Sequence, residues 1–335
     1  MAAADGDGLP AVDADALTAG DVLAGAGDPT AADDAGPSEV ATDLGQVEYL
    51  VVGHVTIDLF ERRTILGGSA TYSALTAQRL GRRVGVLTSA DFEPLIMDTL
   101  IGRDHFCEAE APVRVLRVPT QTTTCYVNHY DEHGRRQLLL GRAADLHPEH
   151  VPPEWRSAAV VHLAPLNQEV DPSLLTTFSG GLLLVTPQGW MRGWNEEGVV
   201  HPVAWEHAEA ALARADVTIF SVDDLPDPVL RARYIEQGRL VIVTENRRGC
   251  VVHERGKPPW RSHAFRPARE TDPTGCGDVF AAAYAVQYQK TGDPRASADF
   301  ANCVASFALE KRAWTSIPTA EAVADRLRRG KRRGA

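Results

Sequence analysis

The sequence predicts an α/β domain: a doubly wound, mostly parallel sheet flanked by helices, with a small antiparallel β lid. Three observations predict it. From Glu48 onward, short apolar runs alternate with longer helix-like stretches, the order of a chain built from βα repeats. Several of these runs are continuously apolar, as strands buried on both faces require. One central section, 113–140, alternates apolar with polar residues instead, the pattern of a sheet with one wet face.

Taken in order, residues 1–46 come first, with ten acidic residues and no lysine or arginine. Rich in alanine, glycine and aspartate, they have little to bury and are expected to form a disordered acidic tail. That tail accounts for nearly all of the net charge of −11, because the remainder carries 35 acids against 34 basic residues. No global charge therefore draws the folded part to nucleic acid or to a membrane surface, and no run reaches the length of a membrane span. Residues 47–325 are expected to form the domain, with lid segments over about 107–142. Residues 326–335, with six basic residues in the first eight, are expected as a basic, solvated tail.

Core strands are expected at 49–58, 84–89, 158–165, 182–187, 217–222 and 240–245, with 250–254 as an edge strand. Helix 70–80 stops at Gly81. Asp293 and Pro294 supply a cap and a first-turn proline for a second helix, along which Phe300, Val304 and Phe307 recur at helical spacing. Segments 113–118, 122–130 and 135–140 are expected to form the lid, the last two joined by a D-E-H-G turn. Five scattered cysteines without C-x-x-C spacing indicate neither a zinc site nor a disulfide framework. With no basic and apolar leader at the N-terminus, the expected compartment is the cytoplasm.

Residues 271–280, T-D-P-T-G-C-G-D-V-F, carry the chemistry. Two glycines one residue apart, running into a helix-forming stretch, present bare amides at a helix start, a ready oxyanion site. Asp278 is out of place beside an anion unless it accepts a proton from an attacking hydroxyl; otherwise it is an acidic helix cap. In open α/β sheets ligands lie beyond the carboxyl ends of strands. Those ends read Asp58, Asn167, Gln188, Ser221 with Asp224, and Glu245.

Together these residues resemble the ribokinase-like (PfkB) family of carbohydrate and nucleoside kinases. V-V-G-H-V-T-I-D-L followed by L-G-G-S-A-T-Y-S-A-L-T-A-Q-R-L-G is similar to its first strand, glycine pair and helix. D-P-T-G-C-G-D-V-F-A-A-A-Y resembles its D-T-x-G-A-G-D signature. T-E-N-R-R-G-C stands at the T-x-G-x-x-G turn, S-V-D-D at N-x-x-E, and T-P-Q-G-W-M-R-G-W at D-x-N-x-R-x-x-L-W. The resemblance spans about 48–318. It implies transfer of the γ-phosphate of ATP to a hydroxyl of a small polyol, sugar or nucleoside. Asp278 is then the general base, and the amides of Gly275, Cys276, Gly277 and Asp278 form the anion hole. Mg2+ bridges the phosphates, with Asp224 holding it through water. Asp272 and Thr274 lie where some relatives bind a monovalent cation, which makes K+ a candidate. Asp58, Gly67, Gly68, Tyr72, Asn128 and Gln188 are the implied acceptor contacts. Thr244, Asn246, Gly249, Asn302, Ser306 and Arg192 are those for ATP. Relatives pair through the lid, so a homodimer is the candidate assembly.

Structural alternatives stand beside these roles. Asp58 can close a strand, Gly67 and Gly68 can merely start a helix, Asp224 can be a helix cap, and Asn302 can bond only protein. Cys276 can be a small filler or a reactive thiol. The chain also departs from the family pattern. Tyr72 stands at a common asparagine, Ser221 and Asp224 alter N-x-x-E, and Asn246 replaces a turn glycine, which asparagine tolerates. K-R-A-W-T-S-I-P lacks a glycine before Pro318. G-G-S-A-T-Y-S-A, with T-E-N-R-R-G-C and S-V-D-D, is most similar to the inositol-kinase-like branch, which implies a cyclic polyol. A nucleoside kinase and a non-catalytic relative remain the alternatives. A dinucleotide-binding dehydrogenase is disfavoured, since the first strand ends in V-T-I-D without G-x-G-x-x-G.

Overall fold

Strands that are apolar on both faces need cover on both sides, and the chain supplies it in two layers. The computed structural model describes residues 45–60, 63–91, 113–131, 134–311 and 313–334. Nearly all of the expected acidic tail, Cys107 and the start of the expected lid lie outside the described residues. The first half contains β1 (Tyr49–Val52), β2 (Thr56–Phe60), β3 (Arg63–Gly67), helix α1 (Ser69–Arg79), β4 (Val84–Ser89), β5 (Arg114–Val118), β6 (Thr124–Asp131) and β7 (Gly134–Gly141). Next come β8 (Val160–Leu163), β9 (Leu182–Val185), β10 (Arg192–Trp194), β11 (Val200–Pro202), α2 (Ala208–Arg214), β12 (Val217–Ser221) and α3 (Pro228–Gln237). The chain continues through β13 (Leu240–Thr244), β14 (Cys250–Glu254), β15 (Trp260–Ser262), α4 (Cys276–Thr291), α5 (Pro294–Ala308) and α6 (Ala320–Arg329).

The main sheet has the order β15-β14-β13-β12-β9-β8-β1-β4-β5, parallel from β13 to β5 and antiparallel at its other edge. Alternation within β1 divides the core. Tyr49 and Val51 join the cluster containing α1, α4 and α5, while Leu50 and Val52 join the one containing α2 and Tyr234 of α3. From Val279 to Val286 every residue of α4 is buried. A helix apolar all round belongs at the centre of a layer, and this one carries Asp278 in with its first turn. Asp293 caps α5 as expected, accepting hydrogen bonds from the amides of Arg295 and Ala296.

The structure corrects four expectations. The run 49–58 is two strands. β1 ends before Gly53, where a Cβ would lie 2.4 Å from the Ala164 carbonyl oxygen, and β2 enters the lid sheet β3-β2-β6-β7. Segment 113–118 is β5, paired parallel with β4 at the edge of the main sheet and absent from the lid. An edge strand also has one wet face, so alternation could not separate the two. The strand 250–254 is not the edge, because β15 pairs outside it. Finally, the basic stretch from Arg326 is bound to the fold. Arg326 pairs with Glu310 at 2.7 Å and lies over the Phe307 ring, Arg332 pairs with Asp299 at 2.7 Å, and Phe265 bridges Arg332. The acids that hold these arginines are distant in sequence, so the run reads as solvated until it is folded.

Candidate active site

The N-termini of α1 and α4 meet where Gly275 packs on Tyr72, next to the lid strand β3 that runs into α1. Gly68 caps α1, and Gly275 caps α4 in the left-handed conformation with φ 76°. Gly275 is fixed by packing as well as by φ, since a Cβ there would sit 2.3 Å from the Tyr72 ring. Tyr72 is itself buried on α1. Over Gly277, by contrast, a Cβ would meet nothing within 4 Å. The amides of Gly275 and Gly277 have no protein acceptor among the described residues, as the first turn of a helix leaves them. Cys276 differs from the expectation, because its amide turns back to the Pro273 carbonyl at 3.2 Å. The expected cradle therefore loses that donor.

Asp278, in the first turn of α4, is half-buried. Burial pushes its carboxyl up to about 6; a hydrogen bond from the Ser69 side chain and the charge of Arg192 pull it down, while Asp224 pushes it up. A carboxylate that titrates near neutrality and is still ionised at pH 7 is suited to accept a proton. Ser69 is the functional residue that sequence reading missed. It is the first residue of α1, delivered to Asp278 by the packing of α1 on α4. Its one signal was a hydroxyl directly after a glycine pair. Burial also pushes the Cys276 thiol up to about 12, reinforced by Asp272 and Asp278. A thiol held protonated in this way argues for the small filler and against the reactive thiol.

Asp58 lies on β2 in the lid sheet and not at the end of a main strand. Its Oδ1 accepts from the Thr56 hydroxyl at 3.2 Å. The place of a Cβ on Gly67 would fall 2.6 Å from Asp58 Oδ2, so this close approach requires glycine. Burial first, then the carboxylates of Asp58, Asp272 and Asp278, raise the Tyr72 phenol far above its ordinary range. The three acids thus surround one ring. Tyr72 stays neutral, and its ring packs on Gly275. Asn128, on β6, accepts from Gln137 across the lid at 3.2 Å.

Beyond β9 and β12, Gln188 donates to Asp224 Oδ1 at 2.6 Å, and the Ser221 amide donates to Oδ2 at 2.9 Å. Asp227, not Asp224, caps α3. Gln188 is therefore a partner of the expected metal residue. Gln168, a non-glycine residue at φ 67°, holds the carbonyls of Trp190 and Arg192 through Nε2 at 3.0 and 2.9 Å. That fixes the strand from which Arg192 influences Asp278. Asn246 keeps the turn after Thr244, with φ 51° and a 2.9 Å bond to Asp223. Gly249 closes that turn against Ser262. Asp272 Oδ1 accepts the Thr274 amide at 2.9 Å.

Two expected nucleotide contacts are engaged elsewhere. Asn302 is buried and donates to Ser262 Oγ at 2.8 Å. Ser306 donates to the Cys303 carbonyl at 2.6 Å and accepts from Arg326 at 2.8 Å. Both are buried polar groups with protein partners.

The route from β1 into the lid hangs on Glu169. Its fully buried carboxylate accepts the amides of His54 at 3.0 Å, Leu166 at 2.9 Å and Asn167 at 2.7 Å. The His54 ring, held below its ordinary pKa chiefly by burial, reaches Thr124 Oγ1 and the Ala144 carbonyl. Asn167, buried beyond the end of β8, has no hydrogen-bond partner for either side-chain polar atom among the described residues.

A left-handed glycine cap, amides without acceptors at a helix start and a raised carboxylate are groups that phosphoryl transfer to a hydroxyl uses. Residues 208–320 match the pfkB family carbohydrate kinase profile. That match covers about a third of the chain, and the fold of the whole is ribokinase-like. The chain is 22% identical over 258 residues to a cytidine kinase of Thermococcus kodakarensis, covering 73% of this chain and 89% of the relative. It is 27% identical over 257 residues to an inositol 3-kinase of Zea mays, covering 71% and 66%. Among solved structures, a pyrophosphate-dependent kinase in the ribokinase family, in complex with sulfate, superposes with a TM-score of 0.67. That pair shares 20% identity, over 83% of this chain and 99% of the other.

Proposed function

We propose that this kinase transfers the γ-phosphate of ATP to a hydroxyl of a cyclic polyol of the inositol class, with Asp278 as general base. The observation that carries the proposal is the Asp278 carboxyl, raised to about 6 beside a helix start whose Gly275 and Gly277 amides have no protein acceptor. The base takes the acceptor proton as the oxygen attacks phosphorus. The amides of Gly275 and Gly277 stabilise charge on the moving phosphoryl group, each such donor being worth about 3–4 kcal/mol, while the Asp278 amide is turned to its own carboxylate. Arg192 supplies a further positive charge near the same carboxylate. Asp58 orients acceptor hydroxyls from the lid, over the backbone of Gly67 and Gly68.

Asp224 is suited to a magnesium ion held through water. Each of its oxygens already accepts one hydrogen bond and keeps a lone pair for a second. When bound, the ion neutralises phosphate charge. Thr244, Asn246 and Gly249 line the donor turn, and Asp272 is the candidate potassium residue.

A nucleoside is the second reading, favoured by the cytidine kinase relative. A coupled turnover screen separates the two. Inositols, pentoses, hexoses and nucleosides are offered with magnesium, with and without potassium, and with ATP or pyrophosphate as donor. Polyol turnover above that of every nucleoside supports the proposal. Cytidine, inosine or adenosine turnover far above any polyol replaces it, and tight acceptor binding without turnover under every donor makes the chain a binding protein.

A further inference from the structure

Gln168 and Asn246 are the non-glycine residues with a left-handed backbone among the described residues, at φ 67° and 51°. Strain of this kind persists only where the surroundings over-determine it, and it gathers at active sites. Asn246 shapes the turn after Thr244. We propose that Gln168 is a positioning residue, which holds Arg192 in place against the base Asp278; the inference rests on the reading of Asp278 as general base. The segment that carries Gln168 is itself firmly held. Glu169 accepts the amides of His54, Leu166 and Asn167, Arg142 Nε donates to the Asn167 carbonyl at 3.1 Å, and Trp190 Nε1 donates to the Val170 carbonyl at 2.8 Å.

From that base the side chain reaches one edge of the segment bearing Arg192. The Gln168 amide has two protons, and its Nε2 meets two carbonyls, Trp190 at 3.0 Å and Arg192 at 2.9 Å. Carbonyls two residues apart on one edge are what a neighbouring strand would serve. The other edge belongs to β11, where Met191 accepts from the Val203 amide at 2.9 Å and the Asn195 amide donates to Val199 at 3.2 Å. Arg192 lies opposite Pro202, which has no N–H, and its carbonyl faces away from β11. Gln168 therefore stands in for a strand at this edge. The preceding turn is locked too. The Gly189 amide donates to the Pro165 carbonyl at 2.9 Å, and a Cβ on Gly189 would lie 2.2 Å from the Leu166 nitrogen. Such anchoring matters because the Arg192 charge favours the ionised form of Asp278 and weakens with distance. The other groups that face Asp278 are Ser69 and Tyr72 on α1, Tyr49 on β1, Cys276 on α4 and Asp224 beyond β12. None of these is a cation, so none duplicates Arg192.

Two variants of the full chain remove the donors in different ways. Gln168→Gly also relieves the left-handed residue, whereas Gln168→Met keeps the length of the side chain and the strain. Carbon-13 NMR of labelled aspartate carboxyls reads the Asp278 titration directly, its resonance assigned by its loss in Asp278→Asn. The pH profile of kcat/KM is recorded beside it. The expected result in both variants is a midpoint moved to higher pH. A rise of about one unit from near 6 makes the loss of kcat/KM about fivefold larger at pH 6 than at pH 8. Arg192→Gln should move the midpoint in the same direction, and adding Gln168→Gly to it should move it no further. An unmoved midpoint in both Gln168 variants, or a shift that adds in full to that of Arg192→Gln, overturns the proposal. Should Asp278→Asn keep its turnover, the base reading fails, and the NMR midpoints still uphold or overturn the tether.

Discussion

Replacing Asp278 by asparagine removes a charge while keeping shape, and Ser69 can still donate to the new side chain. The structure sets the size of the effect. The carboxyl titrates at about 6 in the fold against an ordinary 3.8, chiefly because of burial. At about 1.36 kcal/mol per pKa unit, holding it ionised costs the folded state up to about 3 kcal/mol. The folded protein binds more protons than the unfolded chain between roughly pH 4 and 6, so wild-type stability from this group falls as pH rises through that window. Asp278→Asn is relieved of that cost. Its melting temperature should match wild type below pH 4 and exceed it above pH 6 by up to about 6–12 °C, taking about 2–4 °C per kcal/mol for a domain of this size. Turnover should fall by about 10²–10⁴, the usual contribution of a general base. The assays are melting curves across pH 4 to 8 and turnover with the best acceptor of the screen. A stability difference that does not vary with pH refutes the buried-charge argument, and turnover within a few-fold of wild type refutes the base.

Ser69→Ala removes a donor that lowers the Asp278 pKa, so the acid limb of the kcat/KM profile should move to higher pH, with a greater loss at pH 6 than at pH 8; an unmoved limb contradicts the bond. Gly275→Ala drives a Cβ into the Tyr72 ring at a left-handed φ, and should destabilise by more than about 2 kcal/mol, read as an earlier denaturation midpoint. Asn302→Ala should lower stability by about 1–3 kcal/mol through the lost bond to Ser262, and leave KM for the donor unchanged; a raised donor KM at intact stability would restore the nucleotide role. Asn167→Leu should be neutral or stabilising, because it removes two buried polar atoms without partners, and should raise the acceptor KM. An acceptor KM equal to that of wild type would show that Asn167 does not face the acceptor.

Local chemistry carried most of what could be read in advance. The strands of the parallel sheet lay where continuous apolar runs put them, Asp293 capped its helix, and Asn246 kept a left-handed turn. What failed did so for definite reasons. Alternating polarity describes a lid strand and an edge strand equally well, so β5 was assigned to the wrong sheet. A run as uniformly extended as 49–58 gives no sign of leaving one sheet for another, since the cause is the Ala164 carbonyl and the Glu169 carboxylate more than 100 residues away. Asn302 and Ser306, expected at the donor, take partners from β15, the body of α5 and α6, which sequence spacing does not reveal.

By itself, then, the order of residues determined the α/β class, the glycine turn that opens α4 and the acid placed in its first turn, because backbone conformation and helix ends are local properties. Only the tertiary structure decided which groups share a field. Ser69, Arg192 and Asp224 reach Asp278 from three separate segments, and an electrostatic environment depends on distance through space, which sequence spacing does not encode.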